Sequence, residues 1–152
     1  MEQPPFGTPP PKRVQVDGTV FTFQALDNSH VVVLGTDGNL WLEQGPFGEV
    51  PPQRVQIDGS VQAFQAIDTQ NVVVLGNDGK LWKEQGPFGV VPPRRQLVDS
   101  NVKQFHQGDN TNYIFALGTD GNLWLEQGSE SNRQQVDSSV RSFQAVGVYA
   151  FL

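Results

Sequence analysis

The sequence has no cysteine, one methionine and two histidines. A disulfide framework and a thiolate zinc site are therefore excluded, and two histidines are too few for most catalytic or metal constellations. Charge is also sparse, 17% of residues against roughly a quarter in an average domain. Ten Lys+Arg stand against 16 Asp+Glu, a net charge of −6. That balance argues against a nucleic-acid partner and against docking on an anionic membrane, both of which need clustered cations. The longest apolar runs, such as Val31-Val32-Val33-Leu34, are of strand length and far too short to span a bilayer. Residues 1–12 lack the basic start and apolar run of a signal peptide. No window of useful length carries helical periodicity. These absences predict a soluble protein, cytoplasmic or non-classically exported, without metal, cofactor or membrane insertion.

What is present is a hydrophobic share of 37%, 16 glycines and a polar surface carried by 17 glutamines more than by ions. The apolar content is that of a normal globular domain. Above all there is a repeat. Asp17, Asp58, Asp99 and Asp137 recur at spacings of 41, 41 and 38, and Phe23, Phe64, Phe105 and Phe143 keep the same spacings. Residues 13–53 and 54–94 are identical at 28 of 41 positions. A third unit covers 95–133, with one extra residue in the loop before Tyr113 and with Gly128-Ser129-Glu130-Ser131-Asn132 in place of the Gly-Pro-Phe-Gly and Pro-Pro segment. A half unit covers 134–152, and the Pro-rich residues 1–12 resemble the end of a unit. The chain thus reads as one repeat domain, cut out of phase with its own period.

In unit two, Val61 to Ile67 alternates apolar and polar residues, Asn71 to Leu75 is a valine run, and Leu81-Trp82 follows an Asn77-Asp78-Gly79 turn. Asp-Gly between apolar runs is a hairpin signal, because glycine accepts the positive φ of such turns. Arg54 to Asp58 is a fourth strand, reached through a loop at 46–52 whose prolines exclude an interior strand. Four short strands per unit of this length predict an all-β fold, a β-propeller with three complete blades and one split blade per chain. The alternative is a β-trefoil, which also builds four-stranded repeats but has no place for the surplus strands around Phe143 and Tyr149.

The pattern Val-Asp-Gly-x-Val-x-x-Phe-Gln-Ala-x-Asp, then Val-Val-Val-Leu-Gly-x-Asp-Gly-x-Leu-Trp, resembles the blade motif of the tectonin and tachylectin group of β-propeller lectins over residues 13–152. The resemblance implies sugar recognition by loops and by grooves between blades. It also implies five to seven blades, more than this chain holds.

Candidate ligand residues are those that repeat. Trp41, Trp82 and Trp124 either pack between blades, the commoner use of a large aromatic, or stack on a sugar ring. Glu43, Glu84 and Glu126, followed by Gln44, Gln85 and Gln127, lie at strand ends where a carboxylate and an amide can chelate vicinal hydroxyls or simply form a solvated turn. Phe47 and Phe88, with Phe6 as a third copy, are held by flanking Pro and Gly and offer exposed rings unless they tuck under the blade. Asp37, Asp78 and Asp120 are explained by turn geometry, since the alternating oxygens of a calcium loop are missing; Asp17, Asp58, Asp99 and Asp137 likewise read as turn residues. His30 and His106 are drift positions, His106 replacing the Gln of Gln24, Gln65 and Gln144.

No asymmetric acid/base or nucleophilic constellation stands out. The expectation is a non-enzymatic, multivalent lectin with glycans as partners; the alternative is a propeller scaffold for protein interaction. Self-association is expected too. The N-terminal strand Arg13 to Asp17 and the C-terminal strands around Phe143 and Tyr149 are complementary edges, which favours a homodimer with composite blades.

Overall fold

In the computed structural model, residues 13–108, 113–127 and 129–144 are described, and they form twelve strands and no helix. Sheet 1 consists of β1 (Val20–Asp27), β2 (His30–Gly35), β3 (Leu40–Gln44) and β4 (Gln53–Asp58). Sheet 2 follows with β5 (Val61–Asp68), β6 (Asn71–Gly76), β7 (Leu81–Gln85) and β8 (Arg94–Asp99). Sheet 3 has β9 (Val102–Gln107), β10 (Tyr113–Gly118), β11 (Leu123–Gln127) and β12 (Ser129–Asp137). Within each sheet the strands pair in chain order and antiparallel. No strand ladder joins one described sheet to another, as a trefoil barrel would require. Three such sheets of about forty residues each are consistent with propeller blades.

The valine run explains why both faces of a sheet are apolar. Val72 and Val74 of β6 pack into a core shared with Val32, Leu34, Leu40 and Ile57 of sheet 1. Val73 and Leu75, alternating with them, pack into a core shared with Val98, Val102, Ile114 and Ala116. Period-two alternation therefore divides one apolar run between two neighbours, and the sheets are held by junction cores more than by cores of their own.

The sheets are out of phase with the sequence units. A unit drawn as 13–53 or 54–94 begins with the strand that closes the preceding sheet: β4 pairs with β3, not with β5. The same holds for 134–137, which belong to β12. Residues 13–17, expected as a strand, carry no ladder partner among the described residues and are irregular, as are 140–144. Met1 to Lys12, Tyr149 and the loop at 109–112 lie outside the described residues. The segment replacing the Pro-rich loop is not a loop. β12 starts at Ser129 and runs nine residues where β4 and β8 run six. Without proline, its backbone N–H groups are free to join the ladder beside β11.

Two local devices fix how one sheet meets the next. Each outer strand carries a bulge at the same place: Leu40 pairs with Asp58 but Trp41 with Gln56, Leu81 with Asp99 but Trp82 with Leu97, and Leu123 with Asp137 but Trp124 with Gln135. The extra residue reverses the side-chain alternation, so Asp58 leaves the face that Arg54 occupies and turns toward sheet 2. After the bulge, Ser60, Asn101 and Ser139 take positive φ of 53, 55 and 58°, as Thr19 does at 52° at the matching repeat position. The carbonyls of Thr19, Ser60 and Asn101 there accept from Thr36, Asn77 and Thr119 N–H, and the following Val61, Val102 and Val140 N–H donate to Gly38, Gly79 and Gly121.

The inner strands are tied by glutamine. Gln24 Nε2 donates to Ala66 O at 2.7 Å and its Oε1 accepts from Ala66 N at 2.8 Å; Gln65 does the same to Gln107 at 3.2 and 2.8 Å. His106 cannot offer one donor and one acceptor in that fork. Two residues earlier on the same face, Gln104 takes over and holds Phe143 O at 2.7 Å and N at 3.4 Å. His30 is no drift position in its function either: its Nδ1 lies 3.0 Å from Asp27 Oδ1, the place that Asn71 Nδ2 takes on Asp68, also at 3.0 Å.

Candidate functional site

Four side chains converge where each sheet meets the segment of chain before it. In sheet 2, Trp82 and Glu84 share one face of β7, Arg95 stands across from Glu84 on β8, and Asp58 arrives from the bulged end of β4. Arg95 Cζ lies 3.9 Å from the Trp82 ring centroid. Its Nη1 is 3.6 Å from Asp58 Oδ2 and 3.8 Å from Glu84 Oε2. The set recurs as Arg54 over Trp41 at 3.9 Å, with Asp17 at 3.7 Å and Glu43 at 3.8 Å. It recurs again as Arg133 over Trp124 at 3.9 Å, with Asp99 at 3.2 Å and Glu126 beside them in sequence register. A guanidinium held over an indole face contributes on the order of 0.5–2 kcal/mol, the more so as it loses water.

The tryptophans are thus half-buried, each covered on one ring face by an arginine. The glutamates, placed by sequence at an open strand end, are enclosed: Glu43, Glu84 and Glu126 are 0, 2 and 0% exposed. Among the described residues no hydrogen bond reaches the carboxyl oxygens of Glu43 or Glu84 as they are placed. Burial, and next the carboxylate of Asp17, push Glu43 up to about 8 against the pull of Arg54. Burial, and next Asp58, push Glu84 up to about 9 against Arg95. Both are therefore protonated at neutral pH, each beside an Asp–Arg pair.

Asp58 does more than form a turn. Its Oδ1 accepts from Gly59 N–H at 2.7 Å while Oδ2 faces Arg95. Together with Ser60, Asn77, Asp78, Trp82 and Arg95 it lines a groove of 560 Å³ between sheets 1 and 2. Asp78 is largely a turn residue, its Oδ1 accepting from Lys80 N–H at 3.0 Å. Gln44, Gln85 and Gln127 are exposed, but Gln85 sits at the far end of β7. It lines a second hollow of 330 Å³ with Asn71, Lys83, Glu84, Arg94 and Arg95, the last shared with the groove, and its Oε1 accepts from Arg94 Nη2 at 3.3 Å. Phe88 tucks against the core between sheets 1 and 2, and Phe47, half-buried, lies on its own loop, 3.3 Å from where a Cβ on Gly45 would stand. Phe6 is outside the described residues.

The structure therefore brings Trp82, Asp58 and Arg95 to one groove, puts Gln85 in a neighbouring hollow on the other side of Arg95, and leaves Phe88 in the junction core. The arginines were missed by sequence reasoning although their signal was present. Arg13, Arg54, Arg95 and Arg133 recur at 41, 41 and 38, each four residues before the repeated Asp. Among the described residues no group of three or more His, Cys, Asp or Glu gathers as metal ligands do. No known family's model matches the chain, and no curated protein is significantly similar to it.

Proposed function

We propose that the chain is a multivalent, non-catalytic carbohydrate-binding protein of β-propeller architecture, related in kind to the tectonin and tachylectin lectins, with one site at each junction between blades. The supporting observation is the groove between sheets 1 and 2, where an indole, a guanidinium, a carboxylate, a hydroxyl and an amide converge on 560 Å³. A pyranose presents an apolar face and a rim of hydroxyls. Trp82 offers an aromatic edge to the first, and Asp58, Ser60, Asn77 and Arg95 offer acceptors and donors to the second. The volume falls within the ~300–1,000 Å³ typical of small-molecule sites. Arg95 is already oriented by Trp82 and Asp58, so little side-chain entropy remains to be lost on binding.

Repetition of the same Trp–Arg–Asp set gives several weak sites per chain, whose combined strength on a clustered glycan exceeds that of any one. Hydrolysis would need a general acid that touches the glycosidic oxygen, and the protonated Glu84 is enclosed. A glycan array followed by calorimetry tests the reading: we expect more than one sugar per chain, and Trp82→Leu to remove one of them. Absence of binding across a broad panel would sink it and leave the scaffold role.

A further inference from the structure

Sheet 2 departs from the repeat on the face it turns to sheet 3. On β3, Leu42 pairs with Val32 and packs against the core between sheets 1 and 2, and Phe88 packs against the same core. The counterpart of Leu42 on β7 is Lys83, paired with Val73, which belongs to the core between sheets 2 and 3. An ammonium cannot join that core without losing its water. The counterpart of the Phe88 loop, Gly128-Ser129-Glu130-Ser131-Asn132, carries no aromatic residue. The first junction thus has two apolar side chains that the second lacks. Asn71, Lys83, Gln85, Arg94 and Gln96, which share one face of sheet 2 by their register, line the hollow of 330 Å³ there.

The hollow is basic although the chain carries a net charge of −6. Lys83, Arg94 and Arg95 line it, three of the ten Lys+Arg residues. At the positions of Lys83 and Arg94, unit one has Leu42 and Gln53 and unit three has Leu125 and Asn132, so the added charge is no part of the repeated architecture. Arg95 is held by Asp58 and Trp82. Neither Lys83 nor Arg94 has an ion-pair partner among the described residues, and Arg94 donates to the neutral Gln85. Glu84, the carboxyl group on the lining, does not offset them at neutral pH, because burial keeps it protonated.

We propose that this hollow is a second ligand site, apart from the Trp82 groove, and that it takes the sulfate or phosphate ester of a sugar. Its donors come from three strands, Asn71 from β6, Lys83 and Gln85 from β7, Arg94 and Gln96 from β8. That spread suits a tetrahedral anion, whose acceptor oxygens point in several directions, and the two cations make its hydrogen bonds charge-assisted. The space is larger than a bare ion fills and lies at the lower end of the ~300–1,000 Å³ of small-molecule sites. The three amides, each with a donor and an acceptor, match the hydroxyls of the carrier. That the carrier is a sugar rests on the carbohydrate reading above; the anion site itself does not.

Calorimetry with glucose, glucose sulfate, glucose phosphate and the two inorganic ions tests it. At low salt the esters should bind about tenfold more tightly than glucose, and added salt should remove most of that gain. The double variant K83L/R94Q gives unit two the residues that unit one carries at these positions, so the fold should survive, as an unchanged melting temperature would show. It should abolish the gain and leave neutral sugars at the groove unaffected. Trp82→Leu should leave the gain in place. Equal binding of glucose and its esters, or an ester preference that survives K83L/R94Q, would overturn the site. Inorganic sulfate and phosphate binding as tightly as the esters would overturn the sugar as carrier. If no neutral sugar binds while K83L/R94Q still removes the binding of the esters, the groove reading fails and the hollow stands.

Discussion

Glu84 is a carboxyl group kept for its neutral form. Its pKa in the folded chain, about 9, lies above the ordinary 4.5, so the native state holds a proton that the unfolded chain releases. Its contribution to stability is whole below 4.5, declines as pH rises, and is gone once pH passes through about 9. Glu43 follows the same course up to about 8. We therefore expect the melting temperature to fall between pH 5 and 9, and Glu84→Gln, which keeps the shape and a donor but cannot ionise, to flatten that fall and raise the melting temperature at pH 8 by a few degrees. A Glu84→Gln melting curve as steep in pH as that of the unaltered chain would contradict the assignment. Ser60 is a residue-scale case of backbone cost. At φ 53° it occupies a region that charges a side chain about 1 kcal/mol, so Ser60→Gly should be neutral or slightly stabilising, whereas Gly79→Ala at φ 82° should destabilise by about 1 kcal/mol. Denaturant midpoints distinguish the two.

The inner strand of each sheet is an edge, and edges leave N–H and C=O groups without partners. Gln24 and Gln65 answer this by holding both backbone groups of one residue in the next sheet. Gln65→Ala would remove both hydrogen bonds that the fork makes to the N–H and C=O of Gln107 in a partly buried place, and we expect a loss of about 1–3 kcal/mol. Hydrogen exchange should show the opening localised to β5 and β9. Glu or His at position 65 should not rescue it, since neither side chain offers a neutral donor and acceptor in the amide geometry. β12 shows the converse, that an outer strand lengthens where proline is absent.

Across the whole molecule, stability resides in the junctions. Leu81, fully buried in the core between sheets 2 and 3, should cost about 2–5 kcal/mol on replacement by alanine. Because the cores among the described residues join sheet 1 to sheet 2 and sheet 2 to sheet 3, the loss should appear as uncoupling of sheet 3 from sheet 2, with a broadened thermal transition and not a uniform shift. A sharp transition merely moved down would argue for a single cooperative core. The same organisation makes the proposed sugar sites dependent on junction integrity. A junction core loosened by Leu81→Ala should weaken ligand binding at the adjoining groove before it abolishes strand content by circular dichroism.

Strand positions in unit two were legible because they depend on local patterns: Val61–Asp68, Asn71–Gly76 and Leu81–Gln85 follow alternation, a valine run and an Asp-Gly turn. Prolines marked the loop before β4 for the same reason. The candidate site was legible only in part. Trp82 was found by repetition and lines the groove, but Glu84 was placed in solvent because nothing in Leu-Trp-Lys-Glu-Gln says which neighbour will cover a strand face. Arg54-Val-Gln-Ile-Asp58 reads as one face of a strand carrying both charges. A single bulge sends Asp58 across to Arg95, and the ion pair that defines the site then spans two sheets. Periodicity along the chain is a local property and is written in the residues. Which sheet closes which face, whether a carboxyl is ionised and where a groove opens depend on groups about forty residues apart, and these were decided only when the sheets were brought together.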